Sequence, residues 1–348
     1  MRQMPMMLVT SALAVMLLAC LMPAAAPAPN DQPAAHPPPS TGGRTGPTAR
    51  LAFEESLGPA RERQVDSLKA AEGKEYRFDT GLLRGTLREG GKSMGLWPVF
   101  DVSSGAGLAG GLGLFSPYRL LTTDARFGPA AWDWASQAQV LADGAVEVHW
   151  TPDAEHPLDI TAVYRWTAPN TLDFAVAVKP QRDLRRFELF LASYFDGFPA
   201  SLAYVQDPGA GGKAAFMEAV KSAGVWQAFP RDDDAARIIA DGRWNRPPNP
   251  VDWKIMPRLA APLALRRDAK SGLVAVLMAP AEDCFAVSMP FGEEDHRSVY
   301  LSLFGRDLKA GQAAAARARL VIGRDISDDQ AIALYRAYAR SPSRVFDK

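Results

Sequence analysis

Moving a proton at a carbon atom needs a base and an acid flanking it, with a cation to steady the anion that develops. Few side chains in these 348 residues suit the first two roles. Of the four histidines, His36 sits in a Pro/Ala-rich tract and His156 in a turn-like segment, 152–157, between two prolines. His149 and His296 remain as acid/base candidates. His149 alternates with Val146, Val148 and Trp150, which puts it on the same strand face as Glu147. Glu188 opposes Phe187, Leu189 and Leu191 in the same way and joins them as a third catalytic candidate. Cations and aromatic rings cluster in two further stretches. Arg119, Asp124, Arg126 and Trp132 crowd into 116–134, while Tyr194-Phe195-Asp196 and the stretch from Trp226 through Arg231 to Asp232 offer an opposite rim.

If the strands carrying them are neighbours, Glu147, His149, Arg165 and Glu188 share one sheet face. Planar polar groups of this kind bind sugar hydroxyls, and Trp132, Trp134 and Trp226 are available to stack on sugar C–H surfaces. The plainer alternative is a solvated sheet face, with the arginines and acids pairing to hold long loops down.

Other motifs dissolve on inspection. Gly105-Ala106-Gly107-Leu108-Ala109-Gly110 spells a dinucleotide fingerprint, but Gly111, Gly113 and Pro117 forbid the helix that would face a pyrophosphate. Gly91-Lys92-Ser93-Met94-Gly95 resembles both a phosphate loop and a nucleophile elbow; the first lacks its glycine spacing and the second its following helix. There is no HExxH and no Cys/His cluster with zinc spacing, so neither metal nor cofactor is expected. Arg231-Asp232-Asp233-Asp234 reads as a solvated loop rather than a Ca²⁺ site. With 39 basic and 39 acidic side chains, no field recruits nucleic acid.

Period-two alternation dominates from Tyr76 to about Ile322. Segments 137–141 and 145–150 flank Asp143-Gly144 as a hairpin, and 159–166 with 171–178 form a second across Ala168-Pro169-Asn170. Further strands are expected at 187–194, 272–277, 285–289, 299–304 and 315–322, with surface loops at 207–213 and 245–250. No helical pattern alternates with them, which excludes a parallel α/β fold. Residues 61–72 read as a marginal helix. Ser327-Asp328-Asp329-Gln330 is a capping box, and Ile332, Tyr335 and Ala339 continue at helical spacing, so one helix is expected over 328–340.

Arg2, the uncharged apolar run 8–19 and Ala24-Ala25-Ala26 have the three-part build of a bacterial export signal over 1–26. Cys20, after Leu17-Leu18-Ala19, fits a lipoprotein processing site, which implies a lipid anchor; cleavage near Ala26 without lipid is the other outcome. A Pro/Ala-rich tether over 27–60 follows, then a single β-sandwich domain over 61–348. The expected location is the periplasm or an envelope anchor.

The stretches GGLGLFSPYR (110–119), FELFLASYFD (187–196) and LFGRDLKAGQAAAARARLVIG (303–323), set among many antiparallel strands, resemble the galactose-mutarotase-like carbohydrate superfamily. The resemblance implies an all-β, antiparallel β-supersandwich with a saccharide or glycan bound on a concave sheet. It also implies acid/base chemistry on a sugar carbon. No asparagine precedes a histidine here, so the Asn-His pair of true aldose epimerases is missing. The alternative is a non-catalytic glycan-binding or envelope scaffold lipoprotein. A solute-binding protein for a transporter fits poorly, because that role normally uses two α/β lobes.

Overall fold

A computed structural model describes residues 69–70, 75–88, 95–207 and 211–342. The export signal, Cys20, the tether, most of the 61–72 segment and Gly91-Lys92-Ser93 lie outside the described residues. Lys69 and Ala70, within the stretch read as a helix edge, form a two-residue strand instead.

Among the described residues, nineteen strands run in chain order. They are β1 (Lys69–Ala70), β2 (Glu75–Asp79), β3 (Leu83–Arg88), β4 (Gly95–Asp101), β5 (Ser116–Leu121), β6 (Gln137–Val140) and β7 (Val146–Trp150). Next come β8 (Leu158–Ala168), β9 (Thr171–Pro180), β10 (Leu184–Tyr194), β11 (Ala200–Val205), β12 (Ala215–Glu218) and β13 (Trp226–Pro230). After helix α1 (Asp233–Ile239) follow β14 (Lys254–Ile255), β15 (Leu259–Arg267), β16 (Leu273–Met278), β17 (Cys284–Pro290), β18 (Ser298–Leu308) and β19 (Ala314–Arg324). Helix α2 (Asp328–Arg340) closes the fold.

The strands form three sheets, ordered β1-β2-β3-β4, β14-β13-β17-β18-β10-β5 and β12-β11-β15-β16-β19-β9-β8-β7-β6. Pairing is antiparallel throughout except for the short parallel contact of β13 with β14. This is the all-β antiparallel sandwich that the alternation predicts.

Alternation also sorts each strand between layers. In β10, Phe187, Leu189 and Leu191 enter the main core between the sheets, whereas Phe190, Ala192 and Tyr194 face a second apolar cluster on the other side. In β16, Leu273, Ala275 and Leu277 join the main core, while Val274, Val276 and Met278 meet α2 through a third cluster containing Ala331 and Tyr338. Strands covered on both faces therefore lose visible alternation: β16 and β17 are buried at every residue. β7, open on one face, keeps it. The capping box of α2 is formed as expected, with Ser327 Oγ accepting from Gln330 N and Gln330 Oε1 from Ser327 N.

Two expectations need correction. β10 lies in the six-stranded sheet and β7 and β8 in the nine-stranded one, so Glu188 shares no face with Glu147, His149 and Arg165. The aspartate run is not a loop. Asp232 caps α1 by accepting from Ala235 N at 2.8 Å, and Asp233 and Asp234 occupy its first turn, where the helix dipole favours acids. The signal was misread because carboxylates that cap a helix look, in a sequence, like carboxylates that face water.

Candidate functional site

The second apolar cluster does not close over the six-stranded sheet; it leaves a pocket of about 270 Å³. Strand residues make its floor: Tyr118 and Arg119 from β5, Phe190 and Tyr194 from β10, Tyr300 from β18 and Trp226 from β13. A strap over 243–253 makes one rim with Trp244, Asn249, Pro250, Val251 and Trp253, and the 291–297 turn brings His296 to the other. Rings interlock along the floor, with Phe190 stacked on Tyr300 at 4.5 Å and edge-on to Trp244 at 4.6 Å.

A strict period of two cannot place both Tyr118 and Arg119 here. The β5–β10 register slips between the pairs Phe190–Arg119 and Leu191–Pro117, leaving Tyr118 as the extra residue of a bulge. A bulge re-aims neighbouring side chains, and this one brings both to the pocket. Trp132 lies flat against Tyr118, with ring centres 4.2 Å apart, and supports it from behind.

Arg119 is 4% exposed, and its guanidinium lies 4.9 Å from the Tyr118 ring centre and 5.2 Å from that of Trp244. One terminal nitrogen donates to the Asn249 carbonyl at 2.9 Å and to the Tyr118 hydroxyl at 3.2 Å; Nε is buried without a partner. Arg126 secures the strap through the carbonyls of Arg246 (3.0 Å) and Pro248 (2.5 Å), and holds its own loop through Gly128 and Pro129. Burial, together with the charge of Arg119, draws the Arg126 guanidinium down to about 10. Arg246 completes the fastening by donating to the Thr123 carbonyl at 2.7 Å.

His296 is held by its own turn. Its Nδ1 lies 2.8 Å from Glu294 Oε1 while its backbone N donates to Oε2. An ionised carboxylate only accepts, so in the neutral ring this contact favours the tautomer with its proton on Nδ1 and its lone pair on Nε2. Trp226 meets the imidazole edge-on at 5.3 Å. Behind the turn, buried Arg266 donates to the carbonyls of Phe198 and Gly292. Burial and nearby Arg297 draw Arg266 down to about 9. Gly292 permits this docking, because a Cβ there would stand 2.1 Å from the Pro199 carbonyl oxygen.

Phenols supply the other polar atoms. Ser298 Oγ donates to Tyr300 Oη at 2.8 Å, and Tyr300 Oη lies 3.5 Å from Tyr194 Oη. Burial pushes Tyr300 up to about 12 and Tyr194 higher still, so both keep their protons at neutral pH.

Of the residues singled out in the sequence, Arg119, Trp226 and His296 meet in this pocket. His149 stands on the outer face of the nine-stranded sheet, 2.8 Å from Asp159, in a separate polar hollow with Gln137, Glu147 and Thr161. Glu188 is sealed in the interior, 3.0 Å from Arg243. Burial pushes its carboxyl up despite that cation. Asp124 accepts from Thr122 Oγ1, which with its surrounding charges holds it below the usual range. Asp196 is largely exposed near Arg297, and Arg231 bonds Asp232 and the Ala281 carbonyl. Sequence reasoning included Tyr118 in the 116–134 rim without giving it a role, and it missed Tyr300, Glu294 as the partner of His296, and the strap. The usable signal for the strap was two tryptophans, Trp244 and Trp253, flanking a proline-rich stretch.

No protein-family model and no curated protein matches the chain. Among solved structures it is similar to a galactose mutarotase related enzyme from Lactobacillus acidophilus, at 10% identity, 73% of this chain, 99% of that one and a TM-score of 0.42. It is also similar to an aldose epimerase homologue from C. elegans, at 10% identity, 70% and 96% coverage and a TM-score of 0.42. A third similarity is to an α-N-acetylgalactosaminidase from Bifidobacterium bifidum, at 12% identity, 77% of this chain, 38% of that chain and a TM-score of 0.42.

Proposed function

We propose that the pocket on the six-stranded sheet binds a saccharide, that the protein carrying it is exported, and that His296 acts on the bound sugar as a base. One observation carries the reading: a pocket walled by aromatic rings holds only a few convergent polar groups, among them Arg119, His296 and tyrosine hydroxyls. Rings stack on the C–H faces of a sugar, and sparse polar groups fix its hydroxyls. Nε2 of His296, oriented by Glu294, takes a proton from a hydroxyl or a ring carbon. Arg119 steadies the oxyanion, and a buried phenol, still protonated, returns a proton on the other side.

Binding without turnover is the second reading. It is favoured because, among the described residues, no carboxylate lines the pocket, so the acid opposing His296 has to be a phenol.

The test is calorimetric binding across a broad saccharide panel, followed by NMR of anomer interconversion and of solvent-deuterium incorporation into the bound sugar. Wild type should bind, and Trp253→Ala should weaken binding about tenfold, in line with the loss of a stacked ring. His296→Gln should bind normally yet lose any exchange. Absence of saccharide binding by folded wild type ends the reading. Binding without exchange in wild type leaves the non-catalytic form.

A further inference from the structure

The arginines around the pocket lack the anions that Arg243, Arg317 and Arg319 have. Buried Arg243 pairs with Glu188 and Asp241, and Arg319 pairs with Asp173 at 2.5 Å. Among the described residues, no carboxylate lies within ion-pair distance of Arg119, Arg126 or Arg246. Their hydrogen bonds end on neutral atoms: the carbonyls of Thr123, Gly128, Pro129, Arg246, Pro248 and Asn249, and the Tyr118 hydroxyl. Arg266 is also unpaired, but its hydrogen bonds run behind the His296 turn rather than into the pocket.

Taking a guanidinium out of water without a counter-charge is unfavourable, and a nearby second cation worsens it. Arg119 is in that position: it is 4% exposed, its Nε is unpartnered, and its charge depresses Arg126. It is nevertheless part of the pocket wall, where a bound ligand would meet it. A neutral sugar would leave this excess of positive charge as it is. A sugar bearing an anion would neutralise it inside walls of low polarity, where the attraction is screened least.

We propose that the pocket selects an anionic saccharide, with the carboxylate of a hexuronate or the sulfate ester of a hexose set against Arg119. This rests on the saccharide reading above and names the substrate class. Either anion has the same recognition chemistry, a charged oxygen accepting from a guanidinium.

Calorimetry on the full chain tests it with four ligand sets of equal linkage and length: hexuronates, their methyl esters, sulfated hexoses and unmodified hexoses. Wild type should bind the acid or the sulfate about ten- to a hundredfold more tightly than the neutral sugar, as a hydrogen bond to a charged group implies. The methyl ester should fall to the level of the neutral sugar. The stronger of the two anions identifies the source of the charge. Arg119→Met should level the series, whereas Arg119→Lys should keep part of the preference. If Arg119→Met does not fold, the ester comparison on wild type decides, since it removes the charge from the ligand instead. Neutral sugars and esters bound as tightly as the anions would overturn this proposal and leave the saccharide reading standing. Binding of none of the four would take both down.

Discussion

A carboxylate carried inward by a strand must find a cation there or give up its charge. Glu188 finds Arg243, which is itself fully buried and held on its other side by Asp241 at 2.9 Å. Glu188→Ala leaves a buried guanidinium with one partner instead of two. The expected result is a loss of ~3 kcal/mol in urea unfolding, the lower end for breaking a buried pair because Asp241 remains. Any saccharide binding should persist in the folded fraction, since Glu188 does not line the pocket; abolished binding at unchanged stability would contradict that placement. The difference between Glu188 and His296 marks what was legible at this scale. Residue type alone picked out Arg119, Trp226 and His296, which the structure brings together in one pocket. It selected Glu188 and His149 equally readily, because alternation tells which neighbours share a side chain's face and not which sheet the strand joins. Glu294 was passed over because its role depends on a two-residue turn folding its carboxylate back onto His296.

Hairpins were the most readable elements, since short turns bring consecutive strands together: β6–β7 and β8–β9 pair as their turn residues foretold. What could not be read was any event that breaks the period. The β5 bulge is one, and the strap, an irregular segment whose hydrogen-bond partners are distant in sequence, is another. A third long-range element contact joins two sheets. Asp101, ending β4, accepts from Ser103, from Ser104 and from Arg324 at the end of β19. Burial alone would raise its pKa, but the hydrogen bonds from Ser104 and Ser103, with Arg324, outweigh burial and lower it to about 2. A folded-state value below the unfolded one, about 3.9, means that the folded protein releases this proton more readily. The stabilisation is complete above about pH 4 and is lost as the pH falls towards about 2. Asp101→Asn should therefore flatten the stability profile in that window, measured by thermal unfolding, with little change in its slope near neutrality. An unaltered acid limb would show that this clasp contributes nothing.

For the whole molecule, alternation and hairpin spacing were enough to give an antiparallel sandwich closed by one helix. They could not give the number of layers, because a strand buried on two faces shows only a continuous apolar run. The two outer clusters, one under α2 and one under the strap, arise from such runs. Location is a separate matter and rests on the first 26 residues. Mass spectrometry of the protein from its native host should find 19 to 26 residues removed. A lipid mass on Cys20 would identify the anchored form; intact Met1 in a soluble cytosolic pool would refute export.

The strap over 243–253 is tied down at its middle through its own carbonyl oxygens, which receive Arg119 and Arg126 from outside it; the Arg243 and Arg246 side chains add ties to Glu188 and to the Thr123 carbonyl, and Val251 N bonds back to the Trp244 carbonyl. Every amino acid carries a carbonyl. Side chains at Asn249 and Val251 can therefore change over generations while the two fixed arginines go on gripping whatever segment is there. Such a rim can drift in specificity without costing the molecule its architecture, and a library confined to these two positions should yield mostly folded proteins with altered ligand preferences.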